Sequence, residues 1–187
     1  CPILSDRLDA EVLAAVGRVM LIANYGVGFS PIAIAAAKAR GIAVTNTPGA
    51  LTDATAELAL ALILTAARRT GEGERVLRAG RWPGWGPTDL LGTALTGKTL
   101  GVVGFGRIGI ATARKAHHGL GMRIAYFGRR ECLPEVAREL DARFFPDLHQ
   151  LLAAADFVSL HTPGGADTAK LNDAPALAAM KRGRYLI

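Results

Sequence analysis

The chain has 187 residues, half of them hydrophobic and a fifth charged, with a formal charge of +6. This length suits one ordinary domain or one and a half, and this composition excludes an unfolded chain. The basic residues are scattered, with short pairs at Arg68-Arg69, Arg129-Arg130 and Lys181-Arg182, which argues against a nucleic-acid tail.

The first apolar run, residues 19–25 (VMLIANY), reads as a strand. A GVGF turn follows, then a short helix over 31–41 that ends at Gly41, and a second strand, IAVTN. Strand, loop, helix and strand in this order predict an α/β protein. Residues 47–55 (TPGALTDAT) read as a loop, with Thr52 or Asp53 as a helix cap. A helix is expected from about Ala54 to Arg69, followed by a more polar helical piece, GEGERVLRAG. Residues 81–98 contain four Gly, two Pro and two Trp. No regular element accommodates that mix, and the segment is long for a plain connector. It reads as an arm that packs on something, often another subunit. From Thr99 the pattern becomes regular: KTLGVVGFG, MRIAYFG, ARFF, DFVSLHTP and RYLI read as strands, with helices between them. The expected fold is therefore α/β, with a doubly wound parallel sheet.

The two cysteines, Cys1 and Cys132, lie far apart and form no CxxC pattern. A disulfide framework and a zinc site are not expected, and a reducing compartment, the cytoplasm, is the default. The longest apolar run, 58–67, is half a membrane span and reads as a buried helix. No signal peptide is visible, and no membrane partner is expected. Both ends read as cut: the chain starts at Cys1 and stops at YLI, inside a buried strand. A domain boundary normally falls in a polar linker, so a fragment is expected.

Chemistry enters at GVVGFGRIG, residues 101–109, where Gly104, Gly106 and Gly109 follow a strand and open a helix. In that context each glycine has a role: a tight turn, close approach of the backbone to a pyrophosphate, and packing of the helix on the strand. The helix N-terminus offers unpaired N–H groups to phosphate. An acid that would hold the adenosine ribose is expected about 20 residues on. That place is Gly128, followed by Arg129 and Arg130. A carboxylate there favours NAD and repels a 2′-phosphate. Two guanidinium groups reverse that preference through forked, charge-assisted bonds. NADP(H) is therefore expected over NAD(H). The bland alternative is a pair of solvated surface arginines.

These motifs carry a resemblance. The chain resembles the D-isomer-specific 2-hydroxyacid dehydrogenases, and within them the glyoxylate/hydroxypyruvate reductases. The matching stretches are ANYGVGF at 23–29, VTNTPGALTDATAELALALIL at 44–64, GRWPGWGP at 80–87, GKTLGVVGFGRIG at 97–109, LLAAADFVSLHTPGGADTAKL at 151–171 and MKRGRYLI at 180–187. The resemblance implies two domains. Residues 1–48 would be the last part of a flavodoxin-like substrate domain, and 49–187 a Rossmann cofactor domain with a linking helix and a dimerisation arm at 81–98. It implies that backbone N–H groups at Val27 and Gly28 bind the substrate carboxylate. Trp85 would reach the active site of the partner subunit in a homodimer, with simple packing of the two Trp as the alternative. It also implies that Arg107 and Ile108 contact the pyrophosphate, and that His161, Thr162, Pro163 and Thr168 line the cofactor's adenosine side.

The implied activity is NADPH-dependent reduction of a small 2-keto acid, glyoxylate or hydroxypyruvate, to a D-2-hydroxy acid. The family's catalytic Arg, Glu and His would all lie beyond Ile187, so the chain as given would not turn over. His161 invites reading as the catalytic histidine but is better read as structural or cofactor-adjacent. His117, His118 and His149 lack the partners of a metal site, Cys132 lacks a His partner, and Asp156 reads as structural. Rival readings are a phosphoglycerate, formate or D-lactate dehydrogenase, an NAD(H)-sensing corepressor-like binding module of the same fold, and a remnant without activity.

Overall fold

The structure, a computed structural model, describes residues 6–165 and 168–187. Cys1 lies outside these residues. The chain forms two compact units. One runs to Leu51 and includes 163–169, and the other comprises Thr52–Thr162 and Lys170–Ile187. The boundary thus falls after Leu51, and a distant segment joins the first unit through contacts that no local pattern announces.

In the first unit, helices α1 (Ala10–Ala15) and α2 (Ile34–Ala39) accompany strands β1 (Leu21–Ala23) and β2 (Ala43–Thr45). The strands pair in parallel, with Ile22 opposite Val44. Leu13, Ile22, Ile32, Ala37 and Ile42 form the core. Helix α1 is an addition to the expected elements. The Asp9 side chain caps it by accepting from the Val12 N–H at 3.1 Å, the usual way an orphan donor is satisfied.

The second unit opens with α3 (Thr52–Ala67) and α4 (Thr70–Arg78). Thr52 and Asp53, expected as caps, lie inside the first turn of α3, where the acid suits the positive helix end. Residues 81–98 contain no helix or strand. Their later part is anchored to α3. A Cβ on Gly92 would overlap the Ala67 carbonyl oxygen and lie 2.8 Å from Arg68 Cα. The Thr93 N–H donates to the Ala67 carbonyl at 2.8 Å.

There follow β3 (Thr99–Val103), α5 (Arg107–Leu120), β4 (Arg123–Phe127), α6 (Pro134–Glu139), β5 (Arg143–Phe145), α7 (Leu148–Ala154), β6 (Phe157–Leu160), α8 (Ala174–Ala179) and β7 (Tyr185–Leu186). The five strands pair in parallel in the order β5-β4-β3-β6-β7. A parallel sheet needs cover on both faces. One core joins Ile63, Leu100, Val102, Ala113, Ala116, Tyr126 and Phe157. The other joins Val103, Ala125, Leu151, Leu152 and Val158. This is the doubly wound sheet expected from the strand pattern. Strand order reverses between β3 and β6, and ligands of such sheets bind at the carboxyl ends of the strands at that point.

Candidate functional site

Strand β3 ends at Val103, and Gly104 follows with a φ of +92° in the left-handed region. Its N–H donates to the Phe127 carbonyl at 2.9 Å, which ties the ends of β3 and β4. A Cβ here would lie 2.8 Å from the His161 carbonyl carbon and oxygen and 2.9 Å from the Thr162 nitrogen. Gly104 thus lets the end of β6 close against the turn. Gly109 is buried in the first turns of α5, and a Cβ there would overlap the Gly104 carbonyl oxygen and lie 3.1 Å from Val102 Cγ1. Both glycines are required by the fold.

Gly106 differs. Its φ of −89° and ψ of −163° suit any residue, and a Cβ would meet nothing within 4 Å. Nothing within the chain requires a glycine there. Gly106 is the N-cap of α5 and offers no side chain to its first turn. The N–H groups of Arg107, Ile108 and Gly109 therefore lack an intrahelical acceptor. Open space over unpaired donors at the positive end of a 14-residue helix fits the pyrophosphate of a dinucleotide.

Strand β4 delivers the second part of the site. Gly128 follows its last residue, and a Cβ there would meet only the Arg130 carbonyl oxygen at 3.5 Å and the Phe105 nitrogen at 3.9 Å. These are ordinary contacts, so the glycine marks a side chain the site omits rather than one the fold forbids. Arg129 and Arg130 are exposed, and neither side chain makes a hydrogen bond or ion pair among the described residues. Two uncommitted guanidinium groups thus stand beside the place where a carboxylate would sit.

Strand β6 delivers the third part. The His161 N–H donates to the Val103 carbonyl at 2.8 Å, and its Nε2 lies 2.9 Å from Ser159 Oγ. Burial holds the imidazole below its ordinary pKa, so the neutral form is favoured. His161 and Thr162 are half-buried beside Gly104. Pro163 and Thr168 fall in the segment that belongs to the first unit. There the Thr168 hydroxyl donates to the Pro163 carbonyl at 2.6 Å.

In the first unit, the loop holding Val27 and Gly28 is shaped by two asparagines. Buried Asn24 donates through Nδ2 to the carbonyls of Gly26 and Gly28, at 3.1 and 2.9 Å. Asn46 donates to the Val27 carbonyl at 2.8 Å. The N–H groups of Val27 and Gly28 make no hydrogen bond among the described residues. A turn whose carbonyls are occupied and whose donors are unused can form an anion cradle. Asn24 and Asn46 were not expected as part of this loop. Their only signal is their position at the two strand ends.

Trp85 is 84% exposed and Trp82 is 54% exposed on the 81–98 arm. Among the described residues no group of His, Cys, Asp and Glu could hold a metal ion. His117 Nδ1 lies 2.9 Å from the Met122 carbonyl oxygen, and His118 lies 3.7 Å from Glu139. Asp156 sits at the opposite end of the sheet. It accepts from the Thr99 N–H at 3.0 Å and lies 3.3 Å from Arg184 and 3.9 Å from Lys181. Burial alone would raise its pKa. The Thr99 bond and the charges of Lys181, Arg184 and Lys98 outweigh it and hold the carboxyl below its ordinary value. No described helix is long and apolar enough to cross a membrane.

Comparison with known proteins gives a consistent answer. Residues 60–187 match the sequence model described as the D-isomer specific 2-hydroxyacid dehydrogenase, NAD binding domain. A glyoxylate reductase of Thermococcus litoralis is 45% identical over 189 residues, covering 99% of this chain and 56% of that protein. A glyoxylate reductase of Korarchaeum cryptofilum is also 45% identical. It covers 99% of this chain and 55% of that protein. Among solved structures, the TT0316 protein from Thermus thermophilus superposes with a TM-score of 0.91 at 47% identity, covering 99% of this chain and 57% of that one. A glyoxylate reductase from Paecilomyes thermophila superposes with a TM-score of 0.85 at 35% identity, covering 96% and 53%. The chain thus spans about half the length of the relatives it matches. The open turn at Gly106, the switch point above β3 and β6, and these likenesses agree: the chain belongs to the D-isomer-specific 2-hydroxyacid dehydrogenase family, and its second unit carries that family's nicotinamide-cofactor domain.

Proposed function

We propose that this chain is the cofactor-binding half of an NADP(H)-dependent reductase of small 2-keto acids, glyoxylate or hydroxypyruvate. The observation that carries the cofactor choice is the Gly128-Arg129-Arg130 turn, where a Cβ would make only ordinary contacts, no carboxylate stands, and two unpaired arginines follow. The substrate class rests on the glyoxylate reductases to which the chain is similar.

When bound, the dinucleotide supplies a hydride to the carbonyl carbon of the keto acid. The residues of this chain bind and orient it. The first-turn N–H groups of α5 hold the pyrophosphate, and the approach depends on Gly106. Arg129 and Arg130 take the 2′-phosphate through charge-assisted bonds. His161 and Thr162 close the adenosine side, and the same role is proposed for Pro163 and Thr168. Val27 and Gly28 hold the substrate carboxylate on their free N–H groups. The acid and base of the reaction are not assigned to any residue of this chain.

The same reading takes the protein as a cytoplasmic homodimer. Leu58 and Leu62 are exposed one turn apart on α3, and Leu77, Trp82, Trp85 and Leu91 are exposed on α4 and the arm. An apolar surface of this kind favours a partner, and a second copy is the proposed one. The direct test is steady-state oxidation of NADPH by the full-length protein with glyoxylate or hydroxypyruvate. Turnover with NADPH that falls at least about tenfold in an Arg129→Ala, Arg130→Ala variant, through KM for NADPH, is expected. Equal use of NADH and NADPH by the wild type, or no turnover of either acid, would overturn the reading.

A further inference from the structure

The two turns that form the candidate site are joined by one side chain that neither motif names. Tyr126 is the fourth residue of β4 and is 1% exposed. Its ring stacks on Phe105, with centroids 4.1 Å apart and an interplanar angle of 21°. Phe105 lies between Gly104 and Gly106, in the glycine turn itself. On its other side Tyr126 meets Phe144 at 5.3 Å. A phenylalanine would fill this space equally well, and a buried hydroxyl is costly unless it is satisfied.

Among the described residues the hydroxyl meets Cys132, through both its backbone N–H and its side chain. It accepts from the Cys132 N–H at 3.1 Å. That bond closes the turn that begins at Phe127, whose carbonyl accepts from the Gly104 N–H at 2.9 Å. Between these two anchors lie Gly128, Arg129, Arg130 and Glu131. Exposed arginines on long side chains can address one phosphate only if the backbone beneath them is held. Burial pushes the Tyr126 phenol up to about 12, so it keeps its proton at every ordinary assay pH.

We propose that Tyr126 is a positioning residue for cofactor choice: its hydroxyl fixes the turn that presents Arg129 and Arg130, and its ring fixes the adjoining glycine turn. The proposal rests on the reading of those arginines as ligands of the 2′-phosphate. It predicts a selective defect. Tyr126→Phe keeps the stack on Phe105, and with it the pyrophosphate turn that NADH and NADPH share. It releases only the Cys132 anchor.

The experiment is fluorescence titration of wild type, Tyr126→Phe, Cys132→Ser and the Arg129→Ala, Arg130→Ala double variant with NADPH and with NADH. Tyr126→Phe is expected to weaken NADPH by about three- to tenfold, the worth of one hydrogen bond, and NADH by less than about twofold. Cys132→Ser keeps the N–H donor and changes only the side chain beside the phenol; a shift in it as large as in Tyr126→Phe would assign the effect to the side chain and overturn the N–H anchor. An unchanged NADPH-to-NADH ratio in folded Tyr126→Phe overturns the proposal. Should that variant fail to fold, amide exchange in the wild type decides: a Cys132 N–H that exchanges as fast as an unbonded loop amide overturns the proposal. The double arginine variant separates the two failures. If it shifts the ratio and Tyr126→Phe does not, only the positioning role falls. If it leaves the ratio unchanged, the reading of the arginines falls, and the proposal with it.

Discussion

Replacing Gly106 by alanine tests whether the glycine turn exists for a ligand. The added methyl meets nothing within 4 Å, and the φ of −89° is ordinary for alanine. Alanine caps a helix less well than glycine, at roughly 0.5–1 kcal/mol. It also restricts the unfolded chain, which returns about 0.4–1 kcal/mol. The two effects nearly cancel, so stability should stay within about 0.5 kcal/mol of wild type. Binding should not be spared. A pyrophosphate on the first-turn N–H groups of α5 would have to approach past the added methyl, and each charge-assisted bond lost there is worth about 1.5–3 kcal/mol, or ten- to a hundredfold. Gly109→Ala is the contrast. Its methyl overlaps the Gly104 carbonyl oxygen, and overpacking of that kind costs about 1–3 kcal/mol. Urea unfolding and NADPH titration of both variants separate the roles. A Gly106→Ala protein that binds NADPH as tightly as wild type would refute the placement of the pyrophosphate.

Three further outcomes follow from the geometry. Gly128→Asp adds a Cβ that makes only ordinary contacts and should reverse cofactor preference, weakening NADPH by at least about tenfold while NADH improves; dissociation constants for both cofactors check it. Asp156→Asn removes the carboxylate that joins Thr99 to Arg184 and Lys181 and should cost about 1–3 kcal/mol in urea unfolding. Because the folded pKa of Asp156 lies below its unfolded value, its contribution is full above the unfolded carboxyl pKa and disappears as pH falls through the folded one, so the gap between variant and wild type should close in acid. His161 behaves in the same direction through burial: its neutral form contributes stability above the unfolded imidazole pKa near about 6.5, lost as pH falls through the lower folded value. His161→Gln should flatten that acid limb in thermal unfolding measured across pH.

Much of the second unit was legible because its signals are local. Gly104, Gly106 and Gly109 are spaced by the geometry of one turn and one helix, and the five strands are short apolar runs separated by helical patterns. The place of Gly128 directly after β4 was legible because that strand is a short apolar run of fixed length. What escaped depends on contacts between distant residues. Asn24 and Asn46 shape one loop from two strand ends. Phe105 and Tyr126 meet only because β3 and β4 are neighbours in register, with Val102 opposite Tyr126. The segment 163–169 joins the first unit across more than a hundred residues. Helix α1 was overlooked although Asp9 before an apolar run is a local cap signal. The length of α1, six residues, leaves little periodicity to read.

This cofactor domain is proposed to select NADP(H) through the arginines after β4. The most direct measurement is the pair of dissociation constants for NADPH and NADH on the unmodified protein, by fluorescence titration at one fixed salt concentration. The account predicts NADPH tighter by at least about tenfold, with the gap narrowing as salt rises. Equal constants, or tighter NADH, would contradict it.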